Sequence, residues 1–144
     1  MIDYRKVFID TAPFIYFIEK DENNPRYFDK MKNFFIDSSD KGIQLVTSVI
    51  TVEEYMVYPY RNNLPIYVET FEQLIHALDV DVLEISMPVA RKAAKIRADY
   101  QHFKAMDALQ LAAASMSDCD LFLTNDRQLR QYRELKCLTI EDLE

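Results

Sequence analysis

Two apolar runs in this chain end on carboxylates. "KVFIDT" (6–11) carries Val7, Phe8 and Ile9 into Asp10, and "CDLFLTND" (119–126) carries Leu121, Phe122 and Leu123 into Thr124, Asn125 and Asp126. Two more acids sit inside helical patterns, Glu54 in "SVITVEEYMVY" and Asp107 in "KAMDALQLAAASMS". Ser48, Thr51 and Glu54 recur at i, i+3 and i+6, an arc of about 120° that lets all three face one edge, while Glu53 points away toward solvent. Taken singly, each acid has an ordinary explanation. Glu54 in an early turn favours the helix dipole, Asp107 caps its helix or pairs with Lys104, and Asp126 caps "RQLRQY". As a set they pose a problem, because carboxylates gathered at one place repel one another and take up protons unless a cation compensates them. Mg²⁺ or Mn²⁺ is the natural compensation, since such hard ions prefer oxygen ligands and share their coordination with substrate phosphates. An ion of that kind polarises a phosphoryl oxygen and lowers the pKa of an attacking water, so phosphodiester hydrolysis needs no nucleophilic Ser, Cys or His.

The elements that must position these acids alternate along the chain. A buried strand over residues 6–10 feeds directly into a helix over "TAPFIYFIEK" (11–20), whose start is marked by Thr11 and Pro13. A second helix is predicted from Pro25 to Ser39, where Phe28, Met31, Phe34 and Phe35 keep helical spacing. Gly42, the only glycine, closes it in a left-handed conformation. "IQLVTS" (43–48) reads as strand two, Ser48 as the N-cap of the next helix, and Pro59 as that helix's end. A helix over Pro65–Ala77, a strand at "DVLEI" (81–85), a helix from Pro88 to Tyr100 and the helix of Asp107 follow. "LFLT" (121–124) is the next strand, trailed by a short helix after Asp126 and a last strand near "LKCLTI" (135–140). Strands alternating with helices predict an α/β fold, a parallel sheet with helices on both faces, formed by residues 1–144 as a single domain. Ligands of such sheets collect beyond the carboxyl ends of the strands, which is where this order puts Asp10 and Asp126.

Composition narrows the function further. The net charge of -7 offers no global attraction to nucleic acid or an anionic membrane. Local attraction is available in "PVARKAAKIRADYQHFK" (88–104), where Arg91, Lys92, Lys95, Arg97 and Lys104 face one acid, Asp99; this stretch either holds a phosphate backbone or is a solvated helix face. No apolar run approaches the roughly 20 residues that span a bilayer, and "MIDYRK" at the N-terminus is not followed by a signal-like apolar region. Cys119 and Cys137 form no metal-ligand spacing with each other or with His76 and His102, which argues against a zinc site and suits a reducing compartment. A soluble, cytoplasmic protein without membrane association is expected.

With these residues laid out, the chain resembles the PIN-domain family, and within it the VapC-like ribonuclease toxins of toxin-antitoxin systems. The resemblance runs along nearly the whole chain: "FIDT", then "SVITVEE" as Ser-x-x-Thr-x-x-Glu, then "MDALQLAAA", then "LFLTND" as Thr-x-Asp. It implies a three-layer α/β/α sandwich whose central, mostly parallel sheet has four to five short strands, and a Mg²⁺- or Mn²⁺-dependent endoribonuclease activity. Carried over residue by residue, Asp10, Glu54, Asp107 and Asp126 become metal ligands and catalytic acids, with Asp126 the one that binds directly or through water. Thr11, Ser48, Thr51 and Thr124 become their polar supports. Two positions depart from the family pattern, Ala12 and Leu129, and neither removes a ligand.

The resemblance also implies partners: an RNA substrate, an antitoxin protein seated in a groove between helices, and a second copy of the chain in a homodimer. Tyr55, Tyr58, Tyr60 and Tyr67 in "EYMVYPYRNNLPIYVETF" either line that groove, stack on RNA bases, or serve the core, the last expected for at least two of them. Two readings from other classes compete. One is a non-catalytic PIN-like binding or scaffold module, which would take up no Mg²⁺ or Mn²⁺. The other is a receiver-like domain with Asp10 as phosphoacceptor, weakened by Ala12 and by the lack of a Lys-Pro strand ending.

Overall fold

The computed structural model describes residues 3–144; Met1 and Ile2, part of the N-terminal stretch read for a leader, lie outside the described residues. β1 (Lys6–Ile9) is apolar on both sides because its side chains alternate between two cores. Val7 and Ile9 enter one core, Phe8 the other. The same alternation recurs in β2 (Gln44–Ser48) and β4 (Leu121–Thr124), with Leu45, Leu121 and Leu123 on the first side and Val46 and Phe122 on the second. Parallel pairing sets Phe8 opposite both Val46 and Phe122. The Phe8 and Phe122 rings stack with centroids 5.2 Å apart, a contact worth about 0.5–1.5 kcal/mol beyond simple burial.

With β3 (Asp81–Leu83) and β5 (Cys137–Thr139) the sheet has five strands, all parallel, in the order β3-β2-β1-β4-β5. The first core is covered by α1 (Thr11–Glu19), α2 (Pro25–Lys41), α3 (Val49–Arg61) and α4 (Pro65–Ala77). The second is covered by α5 (Met87–Asp99) and α6 (Ala105–Met116), together with Leu129 of a 3-10 helix at Arg127–Gln131. The result is the three-layer α/β/α sandwich. Right-handed crossovers account for the distribution of helices: outward steps from β1 to β3 put their helices on one face, and the return to β4 puts its helices on the other. Among the described residues no helix is long and apolar enough to cross a membrane.

Several boundaries and one helix type differ from expectation; α2, for one, runs on to Lys41 rather than ending at Ser39. Pro59 does not end α3, which continues to Arg61. A proline three residues from a helix end removes a single intrahelical donor, and here Pro59 is buried while the Asn62 N–H and its Nδ2 both donate to the Tyr58 carbonyl to close the helix. The turn after Asp126 is 3-10 rather than α, and β3 and β5 keep only three residues each.

Gly42 behaves as expected. It has a φ of 67°, its N–H donates to the Ser39 carbonyl, and the Ile43 N–H donates to the Ser38 carbonyl, a Schellman closure of α2. Nothing lies within 4 Å of where a Cβ would stand, so the cost of Gly42→Ala is conformational alone. Urea titration should show a loss of about 1 kcal/mol with an unchanged slope.

Candidate active site

Stepping outward from β1 to β3 and then returning to place β4 on its other side makes the β1/β4 boundary the switch point of the sheet. Asp10 lies at the end of β1 there, and its backbone N–H donates to the Leu123 carbonyl of β4 (2.9 Å). Its carboxylate is tied to three elements. Oδ1 accepts the Thr11 N–H of α1 (2.8 Å) and the Gln110 Nε2 of α6 (3.3 Å), and Oδ2 accepts the Thr124 hydroxyl of β4 (2.8 Å). Thr124 also accepts the Asp126 N–H at 3.1 Å, so one hydroxyl couples the backbone before Asp126 to the carboxylate of Asp10. That is the physical content of Thr-x-Asp.

Glu54 approaches from α3. Its Oε1 accepts the Thr11 hydroxyl at 2.6 Å, so Thr11 joins Asp10 and Glu54 through its two donors. Thr51 and Ser48, on the same arc of α3, are fully buried beneath it, and Ser48 caps the helix by accepting the Ile50 N–H. Thr11 Oγ1 and Thr51 Oγ1 stand 3.4 Å apart. Glu53 turns the other way and lines a groove of about 570 Å³ between α3 and α4 with Val52, Met56, Tyr60, Phe71 and Ile75.

Asp107 lies in the first turn of α6, half-buried, and among the described residues nothing donates a hydrogen bond to its carboxylate. Its pKa is pushed up to about 6, first by desolvation and then by the charges of Asp10, Asp126 and Glu54, with Lys104 pulling the other way. Asp107 therefore feels each of the other three acids. Asp10 is raised too, by burial foremost and by the charge of Glu54, against the hydrogen bonds from Thr11, Thr124 and Gln110. Asp126 keeps its ordinary role as well, capping the 3-10 helix by accepting the Gln128 N–H at 3.0 Å. Among the described residues none of the four is ion-paired to Lys or Arg. No three acidic, imidazole or thiol groups among the described residues close tightly enough to hold an ion with the side chains as they stand. The donor set nevertheless suits a hard cation: oxygen only, an excess of negative charge, and no cationic side chain bound to it.

Gln110 was not among the residues singled out from sequence. Its one signal was polarity, three residues after Asp107 in an otherwise apolar helix. It is fully buried; its Oε1 accepts the Ser48 hydroxyl in a short hydrogen bond, and its Nε2 donates to Thr51 Oγ1 (2.7 Å) as well as to Asp10. Of the two departures from the family pattern, Leu129 is a core residue, 1% exposed.

The basic stretch is divided. Lys104 influences Asp107, whereas Lys92 is paired with Glu134 at 3.0 Å. Arg91, Lys95 and Arg97 are exposed on α5. Arg130 and Arg133, which the sequence reading passed over, line a hollow with Tyr100, Gln131 and Asp99 beside the end of that helix. The four tyrosines divide likewise: Tyr55 is buried, stacks on Phe71 at 4.3 Å and donates to the Tyr67 carbonyl, and Tyr67 is half-buried against the same core. Tyr58 and Tyr60 are exposed.

The pattern of the PIN domain matches residues 7–135. The chain belongs to the PIN-domain family. No curated protein matches it by sequence. Among solved structures, DNA-bound VapBC from Salmonella typhimurium is similar with a TM-score of 0.74 at 18% identity, covering 94% of this chain and 98% of that one. VapBC2 from Rickettsia felis, bound to a fragment of promoter DNA, gives 0.72 at 12% identity over 93% of this chain and 98% of that one. VapC20 from Mycobacterium tuberculosis, a toxin that cleaves the sarcin-ricin loop, gives 0.64 at 14% identity over 90% and 98%. At these identities the likeness is one of fold, and this PIN domain shares the VapC architecture.

Proposed function

We propose that this PIN domain is an endoribonuclease dependent on Mg²⁺ or Mn²⁺, and the toxin of a toxin-antitoxin pair. One observation carries the reading: Asp107 of α6 feels the charges of Asp10 after β1, Glu54 of α3 and Asp126 after β4 at the sheet's switch point, and among the described residues no cationic side chain is bound to any of the four. Asp10, Glu54 and Asp107 would hold the cation, with Asp126 at its edge. When bound, the cation supplies charge neutralisation and Lewis acidity at the phosphodiester. Asp10 is fixed by three donors and serves as the rigid member of the set. Asp107 lacks such donors, so its carboxyl oxygens remain available to orient an attacking water or take its proton.

Around this centre Lys104 and the exposed Arg91, Lys95 and Arg97 would hold the RNA backbone, with Arg133 extending the same basic surface beside Arg130, which Asp142 engages at 2.7 Å. Lys92, engaged by Glu134, would contribute less. An antitoxin partner is supported by the VapBC complexes of like fold. The exposed Tyr60, at the α3/α4 groove, marks the surface we assign to a protein partner, antitoxin or second copy. The decisive experiment is cleavage of single-stranded RNA by the purified protein, with Mn²⁺ or after chelation. Activity should require the ion and should fall at least about 100-fold in Asp10→Asn. Equal cleavage by Asp10→Asn and the parent would refute the assignment. A scaffold module would instead take up no Mn²⁺ in calorimetry.

A further inference from the structure

We infer that Gln110 is a positioning residue of the acid site, fixing the orientation of the Asp10 carboxylate. The inference rests on the metal-dependent reading above. A buried amide in an otherwise apolar helix is costly unless its polar atoms are paired, and here each of them is. The direction of the amide is set by α3. Ser48 Oγ already accepts the Ile50 N–H as the helix cap, and its own proton goes to Gln110 Oε1. The carbonyl of Gln110 is thereby turned toward Ser48, which leaves Nε2 to reach Thr51 Oγ1 and Asp10 Oδ1.

Without that donor, Oδ1 of Asp10 would keep only the N–H of its own neighbour, Thr11. The restraint from the opposite layer of the sandwich would be gone, because Gln110 is the one hydrogen-bonding link described between α6 and Asp10. It also holds Thr51, and so touches the side of the site where Glu54 is bound by Thr11. One side chain from α6 therefore registers α3 against the end of β1. The helix that contributes Asp107 thus also aims Asp10.

The test uses Gln110→Met, which keeps the length of the side chain and removes its hydrogen bonds, and Ser48→Ala, which removes the group that directs the amide. Mn²⁺ binding to the apo protein is measured by calorimetry well below the melting temperature, alongside kcat and KM for RNA. Gln110→Met should bind Mn²⁺ about 10- to 100-fold more weakly and lose kcat with KM unchanged. Ser48→Ala should move in the same direction by a smaller factor, and it decides the matter if Gln110→Met does not fold. Phe35→Leu, in the core between α1 and α2, controls for lost stability and should lower the melting temperature without changing Mn²⁺ affinity. Parental Mn²⁺ affinity in both Gln110→Met and Ser48→Ala, with binding lost in Asp10→Asn, would overturn the role of Gln110 alone. Equal Mn²⁺ binding by the parent and Asp10→Asn would overturn the metal site itself, and the role of Gln110 with it.

Discussion

Asp107→Asn is expected to cost about 100- to 1,000-fold in RNA cleavage and yet to raise the melting temperature of the metal-free protein. The two effects have one cause. The Asp107 carboxylate is half-buried, receives no hydrogen bond from any described residue and faces three like charges, so in the absence of a cation its ionisation works against folding. Asparagine has nearly the same shape and carries no charge. Its gain, discounted for partial exposure of the site, is about 1 kcal/mol, or roughly 2–4 °C for a chain of this size. Asp10→Asn should not gain comparably, because the Asp10 carboxylate accepts bonds from Thr11, Gln110 and Thr124, and an amide cannot accept at both positions. Thermal melts of the two apo variants at pH 7.5 separate them. A fall in melting temperature for Asp107→Asn would mean that its carboxylate has a structural partner and is not held in reserve for a cation.

The contrast between these acids explains what could be read in the sequence. Asp10 and Asp126 were legible because an apolar run ending on a carboxylate has few meanings in a parallel sheet, and the period-2 burial of Val7, Phe8 and Ile9 matches that expectation. Glu54 was legible through the spacing that separates it from Glu53: one faces Thr11, the other the α3/α4 groove. Gln110 was not, because its partners lie 59 to 100 residues away and its role exists only where α6 crosses the ends of β1 and β2. Pro59 misled for the opposite reason, since a local rule about helix breaking yielded to burial of the ring and a cap three residues beyond. Local patterns reported which residues sit at the sheet edge. Contacts between layers decided how they are held.

The same electrostatics predict how a cation and pH act together on stability. Folding raises the pKa of Asp107 from 3.8 to about 6 and raises that of Asp10 in the same direction, so the folded state binds protons more tightly than the unfolded chain. Stability of the metal-free protein should therefore fall as pH rises from about 4 to about 6 and stay level above that, as far as Asp107 sets it. A divalent cation reverses the sign, because it binds the ionised form and must displace whatever protons remain. At 100 times its dissociation constant an ion that binds only the folded state adds about 2.7 kcal/mol, or roughly 5–10 °C in melting temperature. Added Mn²⁺ should give a shift of that size at pH 7.5 and a far smaller one at pH 5, where Asp107 retains its proton, and an excess of chelator should abolish it at both. Calorimetry near pH 6 in buffers of different ionisation enthalpy should detect proton release on Mn²⁺ binding in the parent and less of it in Asp107→Asn. Equal shifts at the two pH values would place the ion elsewhere on the molecule, since only a site built from these coupled carboxylates ties cation affinity to that window.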